Sequence, residues 1–311
     1  MTAHARLEGK RTMEIGDWKS VAGMAETYRK ARALGLEANI AEIEAFGFTI
    51  IPPEKNGAPK DFAARMFEKI LDIAKNEDEL AVELNKHTDA EKPAYGRQIF
   101  HLLERDPIFI DAMMNPVVQT MAQYLTGQSC RLFSMAAFYK DGPARSTPMH
   151  CDCVGVPSPL PVYSTMCNVS WILTPYREET GTLGMVPGSH RLCRHPTQFE
   201  QPKFMGGQMD DDLVAPIRAE PGSLAVFMGN TWHCTYPKTT EGVRSHIVTA
   251  FGRNFVAAAE DFSDMPDSVL AHGGPELARL LGRRNWQGYG RAGPKLEDIG
   301  LVRAAYQTQY G

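Results

Sequence analysis

Apolar positions recur at helical spacing from Ser20 to Phe46, where Met24, Tyr28, Ala31, Leu34, Leu36, Ile40, Ile43 and Phe46 stand among charges. The pattern predicts one or two amphipathic helices, broken near Gly35 and ended by Gly47. The apolar run GFTIIPPE predicts a strand stopped by Pro52 and Pro53, since proline has no amide to give a ladder. Residues 61–76 return to helical spacing, with Asp61 as a candidate N-cap. Asp106-Pro107 opens a further helical stretch that runs to Gly127, and Pro116 predicts a kink or break inside it.

Beyond Gly127 the period shortens. Segments 131–140, 150–156, 163–174, 181–187, 223–229, 231–237 and 244–253 are short, β-type and separated by turn residues. With no helices between them they predict an antiparallel sandwich or barrel rather than βαβ units. The expected architecture is mainly β with flanking helices, in one domain over residues 1–311. It divides into a mainly helical part (1–127), the β core (128–255) and a C-terminal extension (256–311) holding a helix at 275–284. The connection 191–215 is long for a compact sheet and is a candidate lid, with Phe204, Met205 and Met209 to close over an apolar substrate.

Composition narrows the function classes. Apolar content of 43% against 23% charged describes an ordinary globular chain, and a net charge of -4 without a Lys/Arg stripe argues against nucleic acid. No apolar run approaches the roughly 20 residues of a membrane span, and MTAHARLEGKRTME lacks the apolar segment of a signal peptide. A cytoplasmic protein is expected, with its six irregularly spaced cysteines reduced.

The stretch MHCDC (149–153) carries the candidate chemistry. In an extended chain His150 and Asp152 share one face, and Cys151 and Cys153 share the other. Two sites compete: a soft Cys-x-Cys pair for zinc or copper, and a His-x-Asp pair for iron(II). No Cys-x-x-Cys pair exists to complete the soft site, so the cysteines are expected as small apolar residues on the reverse face. The His-x-Asp pair needs a third ligand, and His190, His195, His233, His246 and His272 lie downstream. Of these, His233 re-enters the sheet after an apolar strand and a Gly-Asn turn. Eleven residues on, Arg244 could hold a cosubstrate carboxylate in a bidentate pair. The ordered set His150, Asp152, His233 and Arg244 is far more specific than its first half.

Together with EETGTLGMVPGSHR (178–191), the HCD triplet and the WH pair followed by this arginine resemble the phytanoyl-CoA dioxygenase-like (PhyH) family of iron(II)/2-oxoglutarate oxygenases. The resemblance covers roughly residues 45–255. It implies a double-stranded β-helix, a cupin-like jelly roll with an N-terminal helical buttress. It also implies iron(II) on His150, Asp152 and His233, and 2-oxoglutarate with its distal carboxylate on Arg244. Arg97 stands where relatives carry a second basic contact, Thr235 where they carry a hydroxyl on the cosubstrate, and Ser170 or Asn168 would line the same pocket. Some relatives place glutamine two residues before the first histidine, where this chain has Pro148. His190 is implied to be structural, His246 shares a strand face with Arg244, and Lys140 reads as a solvated strand end. The implied reaction consumes O2 and decarboxylates 2-oxoglutarate to succinate and CO2 while oxidising, most simply hydroxylating, a small or medium-sized, largely apolar organic substrate. The presence of Asp152 argues against halogenation. The alternative is a non-catalytic metal-binding jelly roll, and neither reading involves nucleic acid or a membrane.

Overall fold

Gly35 and Gly47 take φ of +67° and +88°, left-handed conformations that end helices and suit glycine. Between and before them the first amphipathic stretch folds as α1 (Ala22–Ala33) and α2 (Glu37–Phe46). The computed structural model describes residues 22–76, 96–153, 155–283 and 289–294. Strand β1 (Phe48–Ile51), helix α3 (Phe62–Asn76), strand β2 (Arg97–Ile99) and the short helix α4 (Leu102–Arg105) follow. The stretch after Asp106 is two helices, α5 (Pro107–Met113) and α6 (Pro116–Thr126), rather than one kinked rod. Asn115 makes the break, because its side chain accepts from the amides of Val117 and Val118 and so restarts the chain as a capped helix.

The β core consists of β3 (Arg131–Asp141), β4 (Met166–Ile172), β5 (Leu183–Met185), β6 (Ala215–Pro216), β7 (Leu224–Met228), β8 (His233–Thr235) and β9 (Val243–Gly252). Six strands form one antiparallel sheet in the order β1-β7-β4-β9-β3-β2, and three form a second in the order β6-β5-β8. The segment before the HCD triplet widens the second sheet. His150 and His233 exchange backbone hydrogen bonds of 2.9 and 2.8 Å, and Ala144 does the same with Lys238. The two sheets stack as the expected jelly roll. Both edges of the larger sheet, β1 and β2, come from the N-terminal part, so the helical buttress and the core share one sheet.

Directly paired residues of antiparallel strands share a face, and this sorts the larger sheet into two. Val169, Trp171, Val226, Ile247 and Phe251 point toward the helices and join their buried core. Trp171 anchors that face, with its ring 5.5 Å from Phe62 and its indole N–H donating to the carbonyl of Ala112. The other face meets the second sheet, where Ile172, Tyr176, Leu183, Met185, Ala225 and Phe227 pack together. By the same register, Lys140, Asn168, Ser170, Arg244 and His246 also lie on this inner face.

Three expectations are corrected. Residues 150–156 are not a strand: only His150 pairs, because the amide of Asp152 turns aside to the carbonyl of Gly229 at 2.6 Å. The C-terminal helix α7 spans Asp267–Leu280 and changes direction at Gly274, whose φ is +65°, just before Pro275. The long connection does not close over the site. Phe204, Met205 and Met209 pack with Met149, Cys151, Cys153, Trp232 and Cys234 on the outer side of the second sheet. Gln201 secures them, accepting from the Met149 amide at 2.8 Å and donating to its carbonyl at 3.0 Å. Among the described residues no helix is long and apolar enough to cross a membrane.

Candidate metal and cosubstrate site

His150, Asp152 and His233 converge where the widened second sheet faces β4. Each offers one donor atom, and the three atoms lie within 4.8 Å of one another. Nε2 of His150 is 3.4 Å from one carboxylate oxygen of Asp152, and Nε2 of His233 is 3.4 Å from the other. An ion with bonds of about 2.1 Å can draw such atoms together.

Local backbone sets the ligand orientation. Nδ1 of His150 donates to the carbonyl of Pro148 at 2.7 Å, and Nδ1 of His233 to that of Thr231 at 3.0 Å. Both bonds reach two residues back along the chain and leave Nε2 with its lone pair toward Asp152. Asn168 on β4 donates to Oδ2 of Asp152 at 2.7 Å. Burial pushes His233 down to about 4, so its ring is neutral at physiological pH. Burial works against ionisation of Asp152, but its neighbours outweigh it and hold the carboxyl below its ordinary value: the His233 and His150 rings whenever they carry a second proton, and the Asn168 amide throughout. The acid is therefore a carboxylate, as a metal ligand must be. Removing the amide donor with Asn168→Leu is expected to weaken metal affinity about 10-fold while leaving the fold intact, measured by Mn(II) titration of the metal-free protein.

Deeper on the inner face Arg244 is only 1% exposed, and its Nε and Nη2 have no hydrogen-bond partner among the described residues. Nη1 donates to Nδ1 of His246 at 2.8 Å, and the guanidinium lies 4.6 Å over the ring of Tyr176. Burial, then the charges of Arg244 and Lys140, hold His246 well below its ordinary value, so it serves as a neutral acceptor. The hydroxyl of Ser170 is likewise buried without a partner among the described residues, and that of Tyr176 lies within reach of the guanidinium. A buried guanidinium with open N–H groups is costly unless an anion completes it, and a carboxylate fits its fork. The donor set and these open groups thus fit a metal ion with a carboxylate-bearing cosubstrate.

Thr235 stands two residues past His233 on the same face, and its hydroxyl accepts from the amide of Thr147 at 2.7 Å, which leaves its own proton to give. Ser170 lies on the inner face of β4, whereas Asn168 reaches Asp152 and orients it. Arg97 is not brought to the group. It pairs with Tyr139 on the helix-facing side, and its Nη1 donates to the carbonyl of Ala74 at the end of α3. The remaining downstream candidates lie elsewhere: His195 bonds Sγ of Cys151 and the carbonyl of Val156, His272 meets Asp111, and His190 is buried beneath Gly47. Cys151 and Cys153 are free, buried and on the reverse side from the metal ligands. Lys140 is not a solvated strand end, since it is 2% exposed beside Arg244. Tyr176 carried no signal in the sequence, because it lies in a loop outside any periodic pattern.

The family model described as Phytanoyl-CoA dioxygenase (PhyH) matches residues 36–246. A protein named dioxygenase af480 from Aspergillus fumigatus is 26% identical over 221 residues, 70% of this chain and 67% of the relative. Dioxygenase cdmD from Talaromyces verruculosus is 25% identical over 43% of each chain. The chain spans about two thirds or less of the length of the curated relatives it matches. Among solved structures, EctD from S. alaskensis with 2-oxoglutarate and 5-hydroxyectoine superimposes with TM-score 0.51 at 16% identity, over 70% of this chain and 75% of EctD. The epimerase SnoN in complex with Fe3+, alpha ketoglutarate and nogalamycin RO gives the same score and identity over 75% of this chain and 92% of its own. At such identities the likeness is one of fold.

Proposed function

The chain belongs to the phytanoyl-CoA dioxygenase (PhyH) family, and from that premise we propose that it is an iron(II)- and 2-oxoglutarate-dependent dioxygenase. His150, Asp152 and His233 hold the metal, and Arg244 holds the distal carboxylate of the cosubstrate. One observation carries the reading: a two-histidine, one-carboxylate set lies on the same inner face as a buried guanidinium whose Nε and Nη2 are unmet. Iron(II) bound there would supply the dioxygen chemistry that couples decarboxylation of 2-oxoglutarate, to succinate and CO2, to oxidation of a substrate.

The protein's own work is geometric and electrostatic. A metal held by only His150, Asp152 and His233 would have room left for cosubstrate and O2. Asn168 keeps both carboxylate oxygens of Asp152 directed, and His246 with Tyr176 fixes the plane of the Arg244 fork. Thr235 and Ser170 offer hydroxyl protons to cosubstrate oxygens. The substrate is a small or medium-sized, largely apolar organic molecule, and hydroxylation is its reaction. Support comes from Ala136, Phe138, Val248 and Ala250, uncharged residues on the inner face of β3 and β9. We further read the chain as one domain, since β1 and β2 complete the core's own sheet, and as cytoplasmic. Its six cysteines, all free and five of them buried, fit a reducing compartment.

The deciding experiment is anaerobic addition of iron(II) and 2-oxoglutarate. A visible metal-to-ligand charge-transfer band is expected, followed by succinate release when O2 and a suitable member of a metabolite panel are admitted. Absence of both would leave the non-catalytic jelly roll.

A further inference from the structure

A second cation lies beside Arg244, and it is not Arg97. Lys140 is the direct cross-strand partner of Arg244, so both side chains rise from the same face of adjacent strands. Lys140 is 2% exposed, and its Nζ donates to the carbonyl of Arg145 at 3.2 Å. Gly96 keeps it inside: a Cβ at that position would lie 2.5 Å from Cγ of Lys140 and 2.5 Å from the carbonyl oxygen of Tyr139. The lysine stem thus occupies the space that any side chain at position 96 would need.

Among the described residues the neighbours of Lys140 are the Arg145 carbonyl, Arg244 and Lys238, and those of Arg244 are His246 and Tyr176, so no carboxylate answers either charge. Lys238, also buried nearby, differs: its Nζ donates to the carbonyl of Thr240, and Glu241 and Asp141 answer its charge. Two adjacent buried cations without a counter-ion repel each other and lose hydration, a cost that a seated anion offsets. Burial, then the charges of Arg244 and Lys238, bring Lys140 down to about 7, so an anion arriving beside it would restore its full charge.

We propose that Lys140 and Arg244 together seat the distal carboxylate of 2-oxoglutarate, Arg244 through its forked N–H groups and Lys140 through its ammonium. The inference rests on the dioxygenase reading above. It makes Lys140 a determinant of cosubstrate choice, favouring a 2-oxo diacid over a 2-oxo monoacid that chelates the metal equally well.

The test titrates wild type, Lys140→Met and Lys140→Gln with 2-oxoglutarate and separately with pyruvate, anaerobically with iron(II), following the charge-transfer band. Pyruvate keeps the chelating 2-oxo acid and lacks the distal carboxylate. Both variants are expected to raise the Kd for 2-oxoglutarate about 10- to 100-fold, the scale of one charge-assisted hydrogen bond. The Kd for pyruvate should move less than about threefold. The side-chain amide in Lys140→Gln still offers a donor to the Arg145 carbonyl, so wild-type affinity in that variant would assign Lys140 a structural role and overturn the proposal. Equal losses for both ligands, unchanged affinity for 2-oxoglutarate, or failure of both variants to fold by circular dichroism would overturn it as well. A wild-type protein that gives no band with either ligand overturns the dioxygenase reading itself, whereas a wild-type band with insensitive variants overturns only the role of Lys140.

Discussion

Asp152→Ala is expected to lower succinate release by at least about a thousandfold without unfolding the protein. The size follows from the several kcal/mol that a correctly ligated metal contributes to a transition state. The fold is expected to survive because the backbone here is held independently of the carboxylate: the amide of residue 152 would still reach the carbonyl of Gly229, and His150 would still exchange two bonds with His233. His233, pushed down to about 4 by its burial, stays neutral at physiological pH after the carboxylate is gone, so no buried charge is orphaned. Coupled turnover retained above a tenth of wild type, with a normal thermal melt, would remove Asp152 from the ligand set.

Arg244→Met is expected to act in opposite directions on function and on stability. Loss of a buried bidentate pair should raise the Kd for 2-oxoglutarate about 100- to 1000-fold, corresponding to roughly 3–4 kcal/mol. Arg244→Lys should recover little of it, because an ammonium cannot reproduce the planar fork. In the metal-free protein, however, the wild-type guanidinium is fully buried with Nε and Nη2 unmet. An apolar side chain of similar length relieves that cost, so the ligand-free variant should be more stable by about 1–3 kcal/mol in urea unfolding. A variant that is less stable than wild type without ligand, or that binds 2-oxoglutarate normally, contradicts the assignment of this pocket.

Much of this was legible from residue order. The apolar alternations of β3, β4, β7 and β9 stand out because these strands are long enough, or apolar enough, to declare themselves. Strands β2 and β6, with three and two residues, carry no period at all and exist only through their partners. The same shortness explains Arg97. On a three-residue strand the side that a residue faces is decided by pairing with Tyr139, and that pairing turns Arg97 to the helices and Gln98 inward. Lys140 misleads for a related reason. A charged residue at a strand end normally reaches water, and only the missing side chain at Gly96, whose place the lysine stem takes, and the neighbouring Arg244 reveal that this one turns in. His150 and Asp152 share one side although the segment is barely a strand, because one bridged residue and one turn are enough to set which way two side chains point.

The two imidazoles of the site are aimed by carbonyls of their own chain two residues earlier, not by distant side chains. Ligand aim is therefore a heritable property of two tripeptides, Pro148 to His150 and Thr231 to His233. Substitutions that reshape the barrel wall for a new substrate leave both tripeptides unaltered. Such a scaffold can drift in specificity over evolutionary time, or be steered in the laboratory, while its histidines stay aimed.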